Sequence, residues 1–272
     1  MKLKNFNTSI YFGCIQIENL DTNKKLVSSG TAFIFYDEGK GFQKYFLVTN
    51  KHVIRGASTN RITFLNSVDR KSKMEERIVM DLEQTGSGGW LLHPDPNVDI
   101  AIIDVTGLFV KANKENSNPY FYAINREFFI SNKDFFKLGG IGKILFVGYP
   151  SGLKDTRHNL PIVRSGITAT PPFVNFNGLK KFLIDASVFE GSSGSPVFWV
   201  SDIGHQEQEI FFIGIVSAAH VDWKRGDIIE AKDESNNQII EYATYLNLGI
   251  VEKAQPLLEL LDLYWETCII TS

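Results

Sequence analysis

SGTAFIFYDEGKGFQKYFLVTNKHVI, residues 29–54, consists of two apolar runs on either side of a short polar segment. The runs 29–36 and 45–54 are rich in Phe, Ile, Val and Tyr, which are residue types that favour strands. The DEGKG between them supplies the glycines that a tight turn needs. The stretch therefore predicts a β-hairpin. His52 comes near the end of the second strand, where a strand-to-turn transition would leave its ring facing a cleft.

The rest of the chain repeats this pattern of short apolar segments broken by turn residues, which is typical of strands. Each half carries about the number of strands that a small barrel needs to close. The sequence therefore predicts an all-β fold of two antiparallel six-stranded β-barrels. The further strands are expected at 62–65, 90–93, 99–105, 143–150, 163–169, 180–188, 195–200, 210–218 and 241–250.

A helix is predicted only near the end of the chain, at 251–266. Its apolar positions recur three and four residues apart, so that they share one face of a helix. We expect this C-terminal α-helix to pack on the second barrel. The residues of the face are Leu257, Leu260, Leu261 and Tyr264.

The segment KANKENSNP at 111–119 is polar, ends in Pro and is the predicted linker. It divides the chain into an N-terminal barrel, 1–118, and a C-terminal barrel with the helix, 119–272. Two further polar stretches, 201–209 and 221–238, are expected to be surface loops.

Charge and composition argue against several partners. The net charge of −3, from 28 basic and 31 acidic side chains, leaves no basic excess for phosphate, so no nucleic acid is expected. The apolar run 210–216 is too short to span a bilayer and no signal-peptide segment is seen, so no membrane is expected either. Cys14 and Cys268 are expected to be free thiols in a reducing compartment. These features favour a cytoplasmic location.

Several common chemical motifs do not occur in the sequence. It has no His-Glu-x-x-His zinc helix, no Cys-x-x-Cys pair and no acidic calcium loop. GGIGKI at 139–144 lacks the spacing and the Ser or Thr of a phosphate loop, so turn chemistry explains it better. No metal or organic cofactor is therefore expected.

His52, Asp99 and Ser193 form an ordered set with the chemistry of nucleophilic catalysis. A serine hydroxyl is a poor nucleophile until an imidazole takes its proton, and the imidazole needs a carboxylate to fix its tautomer. Asp99 opens the apolar strand DIAIIDV, where a carboxylate is unfavourable to bury without a partner. Asp104, at the other end of that strand, is the competing carboxylate and is expected to face solvent.

Ser193 lies in VFEGSSGSPVF, residues 188–198. Gly191 permits an unusual backbone there, and Gly194 leaves space for a substrate. The N–H groups of Gly191 and Ser193 would then point together at a developing oxyanion.

Three blocks of the chain, GTAFIF…YFLVTNKHVI, DPNVDIAIIDV and GSSGSP, resemble the catalytic blocks of chymotrypsin-fold serine peptidases, in their order His, Asp, Ser. The nearer resemblance is to the HtrA (DegP-like) branch and its stand-alone bacterial trypsin-like relatives, and it covers roughly residues 29–262. The resemblance implies a serine endopeptidase in which His52 is the general base and Asp99 orients it. The nucleophile would be Ser193, the middle serine of its cluster.

The resemblance also implies roles for residues around the nucleophile. The main-chain amides of Gly191 and Ser193 would form the oxyanion hole. Ser217 would lie in the segment that pairs with substrate as a short strand, and Ser187 at the floor of the specificity pocket. Residues expected to bind substrate are Ser187, Val188, Ser217, Ala218 and Ala219. They suggest a neutral pocket for small or medium apolar side chains, unless Asp227 or Glu230 reaches in.

The chain departs from the family pattern at several points. Ser192 stands where the digestive members carry Asp, and the N-terminus lacks their Ile-Val-Gly-Gly, so activation by cleavage is not expected. Ser195 replaces the usual second Gly and adds a side chain close to the nucleophile. Little sequence follows the terminal helix, so a PDZ domain of HtrA type is not expected.

The sequence thus predicts a serine endopeptidase that acts on polypeptide substrates. Two alternatives stay open. One is a protease-like scaffold that binds peptides or a partner protein without hydrolysis, with Ser195 or the 221–238 segment obstructing the site. The other is a latent peptidase that an activating protein partner switches on.

Overall fold

A computed structural model describes residues 9–68, 71–83, 89–130, 139–201, 209–227 and 239–267. Within these ranges the chain is mainly antiparallel β-structure, in one open sheet followed by one closed barrel. The predicted all-β fold class is confirmed.

The first sheet is built by the N-terminal part of the chain. Its strands run in the spatial order β5-β4-β1-β2-β3-β7-β6, with β8 beside β4. The path is not closed by any strand pair among the described residues, and it has eight strands where six in a closed barrel were expected. The strands are β1 (Cys14–Leu20), β2 (Leu26–Gly39), β3 (Phe42–Thr49), β4 (Thr59–Val68), β5 (Lys71–Glu83), β6 (Leu91–Leu92), β7 (Ala101–Asp104) and β8 (Pro119–Tyr120).

The predicted hairpin of residues 29–54 is formed by β2 and β3, which pair from Phe33 opposite Val48 to Gly39 opposite Phe42. Both faces of the hairpin are buried, which explains why its strands are continuously apolar instead of alternating. Side chains of one face, such as Ile34, fill the inside of the first sheet. Side chains of the other face, such as Phe33, pack against the second half of the molecule.

The second barrel is closed and has the six strands that the sequence predicts. Its strands follow the order β10-β11-β14-β13-β12-β9, and each neighbouring pair is antiparallel. The strands are β9 (Lys143–Gly148), β10 (Ile162–Thr168), β11 (Lys181–Asp185), β12 (Pro196–Ser201), β13 (Glu209–Asp227) and β14 (Ile239–Lys253).

The helices of the described ranges include α1 (Lys51–Ile54), α2 (Thr106–Lys114) and α3 (Gln255–Thr267). The predicted C-terminal helix is confirmed as α3, and its predicted leucines are buried. The helix packs into the cluster between the two halves instead of on the second barrel alone. Its Trp265 donates a hydrogen bond to the Asp37 carboxylate of β2 at 2.9 Å.

Two of the expected loops are regular structure instead. The first part of the predicted linker belongs to α2, because Phe109 and Ala112 give this helix an apolar side that is buried. Residues 221–227 of the predicted surface loop 221–238 continue β13 and pair with residues 239–245 of β14. The domain boundary after residue 118 stays a prediction, although β8 beyond it still pairs with β4 of the first sheet.

Candidate active site

His52 lies in α1, the single helical turn that follows β3. Its main-chain N–H donates to Asp99 Oδ1 at 3.1 Å, and its ring Nδ1 lies 2.5 Å from Asp99 Oδ2. The two contacts together fix both the backbone and the ring of the histidine. The imidazole remains 44% exposed.

Asp99 precedes β7 and is held from three sides. Its carbonyl oxygen accepts a hydrogen bond from the Asn50 side chain at 2.6 Å. Burial acts to raise the pKa of the Asp99 carboxyl, but the hydrogen bond and charge of His52 outweigh it and hold this pKa below its usual value. The carboxylate therefore stays ionised beside the imidazole.

Ser193 lies on the loop between β11 and β12, which main-chain bonds tie to both halves of the molecule. Its carbonyl oxygen accepts from the Thr31 amide of β2 at 2.9 Å. On the other side, the Gly194 amide donates to Val216 of β13 at 2.8 Å. Gly194 has φ +90°, and a Cβ there would lie 1.8 Å from the Thr31 oxygen, so this position requires glycine.

The Ser193 hydroxyl donates to the main-chain oxygen of Ser217 at 3.0 Å. Within the described residues no hydrogen bond joins it to His52. Ser217 links the two sides of the site, because its own hydroxyl lies 3.5 Å from Asp99 Oδ2. The structure thus brings the three predicted residues to one site but joins the serine to Ser217 instead of to the imidazole.

Gly191 has the positive φ, +82°, that its predicted role requires. A Cβ there would lie 2.5 Å from the Tyr149 oxygen, so only glycine fits without a shift. Its carbonyl oxygen accepts from the Thr31 hydroxyl at 2.8 Å. Among the described residues, no main-chain acceptor pairs with the amides of Gly191 and Ser193.

The residues expected to bind substrate differ in their surroundings. Ser187 is partly exposed, and its hydroxyl lies 3.2 Å from the Asn247 side-chain oxygen. Val188 is turned into the core of the second barrel and is only 3% exposed. Ala218 and Ala219, beyond the irregularity of β13 at Ser217, are partly exposed.

The two serines nearest Ser193 in the sequence do not extend outward. Ser192 and Ser195 are both buried. Ser195 is turned toward Gly148, where an added Cβ would lie only 2.0 Å from its hydroxyl oxygen. The expectation that Ser195 would obstruct the site is therefore not supported.

Asp104, the competing carboxylate, was expected to face solvent, and this was wrong. Its Oδ2 accepts from Lys44 Nζ at 2.8 Å and from the Tyr264 hydroxyl at 2.7 Å. Burial raises its pKa, but the bonds from Lys44, Thr106 and Tyr264 hold the pKa below the usual value. Asp104 is thus a structural carboxylate that joins β7 to β3 and α3.

Two residues of the site were missed by sequence reasoning. Asn50 is fully buried and holds the Asp99 backbone, and Thr31 holds the carbonyls of Gly191 and Ser193. Both are polar residues within apolar strand segments, and this was the available signal. Neither carries chemistry of its own, so a search for reactive side chains passes over them.

Several earlier candidates lie outside the described side chains. These are Cys268, Asp227 and Glu230. Cys14 is buried, and burial raises the pKa of its thiol. Among the described residues, no group of three or more His, Cys, Asp or Glu side chains is placed to hold a metal ion. No helix of the described ranges has the length and apolar character needed to cross a membrane.

With this fold and site in view, the comparisons with known proteins are specific. The family model for the trypsin-like peptidase domain matches residues 30–202, more than half of the chain. The chain therefore belongs to the trypsin-like peptidase domain family. The predicted relationship to chymotrypsin-fold peptidases is confirmed.

One solved structure supports the fold. The serine endoprotease from Yersinia pestis superposes with a TM-score of 0.52 at 14% identity, over 96% of this chain and 66% of that chain. The Rv3671c protease from M. tuberculosis in its active form gives a TM-score of 0.49 at 16% identity, over 94% and 82%. This chain thus spans 66% of the length of the Yersinia chain. A comparison with curated protein sequences found no match.

Proposed function

We propose that this chain is a serine endopeptidase that hydrolyses polypeptides through an acyl-enzyme at Ser193. The observation that carries the proposal is the His52–Asp99 contact of 2.5 Å, beside a serine on a loop shaped by Gly191 and Gly194. Membership of the trypsin-like peptidase domain family supports it.

In this proposal the imidazole of His52 is the general base. Asp99, ionised and bonded to Nδ1, selects the tautomer whose other ring nitrogen accepts a proton. Ser193 first gives up its bond to Ser217 and turns its hydroxyl toward this nitrogen. Catalytic hydrogen bonds are often loose in the absence of substrate and tighten in its complex.

The reaction then follows the acyl-transfer sequence. The Ser193 oxygen attacks the scissile carbonyl, and its proton passes to His52, which delivers it to the leaving amine. Water, with His52 again as base, releases the acyl group. The amides of Gly191 and Ser193 bind the oxygen that becomes negative in each step, because neither donates to a main-chain acceptor among the described residues.

The specificity proposal remains a neutral pocket for small or medium apolar side chains. Ser187, Ser217, Ala218 and Ala219 carry no charge. Because the Val188 side chain lies in the barrel core, it contributes only main chain to such a pocket.

A latent peptidase is the second candidate, and one observation favours it. The Ser193 hydroxyl is engaged by the Ser217 carbonyl and not by the base. In a latent enzyme, a partner or a bound peptide would have to displace this bond before the serine could react.

Labelling with a fluorophosphonate probe tests the proposal, since the probe reacts only with an activated serine. We expect the wild-type protein to be labelled and Ser193→Ala not to be. The matched controls are Ser192→Ala and Ser195→Ala, which remove a neighbouring buried hydroxyl and keep labelling.

Labelling that survives in Ser193→Ala, or that is lost equally in Ser195→Ala, would show that Ser193 is the wrong choice of nucleophile. A folded wild-type protein that is not labelled at all would overturn constitutive activity. The latent or scaffold alternatives would then be preferred.

A further inference from the structure

Glu252 is a carboxylate buried behind the catalytic site. It lies in β14 and is 0% exposed. Its Oε1 lies 3.0 Å from Nζ of Lys181, its direct cross-strand partner on β11. Neither carboxylate oxygen completes a hydrogen bond of good geometry among the described residues.

The strand register shows which way Glu252 faces. It is opposite Ile215 of β13, and Ile215 belongs to the cluster between the first sheet and the second barrel. The next pair along, Val216 and Val251, points instead into the barrel core. Glu252 therefore faces the first sheet, on the same side of β13 as Ser217, whose hydroxyl approaches Asp99.

The charges of Glu252 and Asp99 act on each other. Burial raises the pKa of Glu252, Lys181 lowers it, and the Asp99 carboxylate raises it further. The main-chain amide of Asp99 acts in the opposite direction and lowers the pKa of Glu252. In turn, Lys181 contributes to the lowered pKa of Asp99. Within the described ranges, the charged groups that act on Glu252 are Lys181 and Asp99, while Gly214 and Ile215 of β13 are uncharged.

Stability alone does not account for this pair. Replacing a buried ion pair by apolar residues of similar volume is often neutral or stabilising, because desolvation offsets the attraction. The surrounding positions of this cluster are apolar, including Ile215 and Val147. A carboxylate in such a place next to a catalytic aspartate indicates a role in the site.

We propose that Glu252, held by Lys181, is a positioning residue of the triad that fixes Asp99 and its charge environment from the second barrel. The inference rests on the proposed function, since it gives His52 and Asp99 their catalytic roles. Glu252 acts through Asp99 and touches neither substrate nor Ser193.

The proposal predicts opposite effects for the two members of the pair. Glu252→Gln leaves the Lys181 cation alone beside Asp99, so the imidazolium of His52 becomes less favourable and the His52 pKa falls. Lys181→Met leaves an uncompensated carboxylate beside Asp99, so the His52 pKa rises. We expect each single change to move the measured His52 pKa by about half a unit to one unit, because each removes one charge from the surroundings of Asp99. Combining both changes returns the pKa toward its original value.

The experiment is an NMR titration of the imidazoles in a Ser193→Ala background, where no catalysis is needed for the readout. His52→Ala assigns the His52 signal among the five histidines. The matched control is Asp104→Asn. Asp104 is a partly buried carboxylate that is likewise paired with a lysine, at 2.8 Å, but it lies at the far end of β7. Asp104→Asn leaves the His52 pKa unchanged.

An unshifted His52 pKa in either folded single variant overturns the inference, as does an equal shift in Asp104→Asn. If one single variant does not fold, the sign of the shift in the other decides. The result is independent of the labelling experiment. Absent labelling in wild type with a shifted pKa refutes the proposed function alone, and labelling without the shift refutes only the role of Glu252.

Discussion

The two sides of the candidate site are assembled by different means. On the side of the first sheet, His52 and Asp99 hold each other through a main-chain contact of 3.1 Å and a side-chain contact of 2.5 Å. On the side of the second barrel, main-chain hydrogen bonds hold Ser193. Its carbonyl oxygen accepts from the Thr31 amide, and the amide of the next residue, Gly194, donates to Val216. Among the residues that the structure describes, the Ser193 hydroxyl is engaged only by the Ser217 carbonyl.

The difference teaches what each half contributes. In the proposed mechanism, the base and its carboxylate must keep one tautomer and one orientation, so direct side-chain contacts serve them best. The proposed nucleophile must present a hydroxyl and free amides together, which depends on backbone shape and hence on glycines. A hydroxyl turns about a single bond, so its direction is the least constrained feature of the site.

The largest expected effect comes from breaking the base side. Asp99→Asn keeps the shape of the side chain but favours the wrong tautomer of His52, so we expect the rate of fluorophosphonate labelling to fall by about 10⁴. Asp95→Asn, in the same loop, is the control and changes the rate little. The labelling rates of the two variants are measured from time courses in which the reaction is quenched at intervals. Equal rates for Asp99→Asn and wild type would show that the contact is structural.

Breaking the nucleophile side acts on stability first. Gly194→Ala places a Cβ against the Thr31 oxygen at a positive φ, so we expect the free energy of unfolding to fall by about 2–4 kcal/mol. Gly178→Ala is the matched control, because Gly178 has φ +77° with nothing within 4 Å of an added Cβ. We expect the free energy of unfolding of Gly178→Ala to fall by only about 1 kcal/mol, because the positive φ is then the only unfavourable feature. Urea unfolding of the two variants measures the difference, and equal losses would contradict the close approach.

The smallest effect is a pH dependence in the loop that carries Asp99. Buried His93 accepts a hydrogen bond from the Asp95 amide and lies 3.3 Å from Glu259 of α3. Burial lowers its pKa below 6.5, with Glu259 opposing, so the unfolded chain binds the proton first as the pH falls. The contribution of neutral His93 to stability is complete above about pH 6.5. Below that pH the free energy of unfolding falls, by at most roughly 1.4 kcal/mol per pH unit.

Unfolding measured between pH 5 and 7 tests this sign. His93→Gln removes the decline over that range, while His158→Gln, at a partly exposed position, keeps it. A wild-type protein whose stability rises as the pH falls would reverse the assignment.

Much of the fold followed from local patterns. The hairpin of β2 and β3, the second barrel and α3 were predicted, because apolar runs and turn residues can be recognised in segments of about ten residues. The segment 111–119 misled because it is polar on average, and only the packing of Phe109 and Ala112 shows that its first residues belong to α2. The extension of β13 into 221–227 depends on pairing with β14, which no local composition reveals.

The sequence by itself determined the class of fold and the order of the reactive residues His52, Asp99 and Ser193, since both depend on residue type and spacing. Their catalytic roles stay predictions. Only the tertiary structure decided that the Ser193 hydroxyl meets Ser217, that Asp104 is engaged by Lys44, and that Glu252 lies buried beside Lys181. The physical reason is that such contacts join residues far apart in the chain. Their geometry is set by strand register and burial, which the finished fold alone supplies.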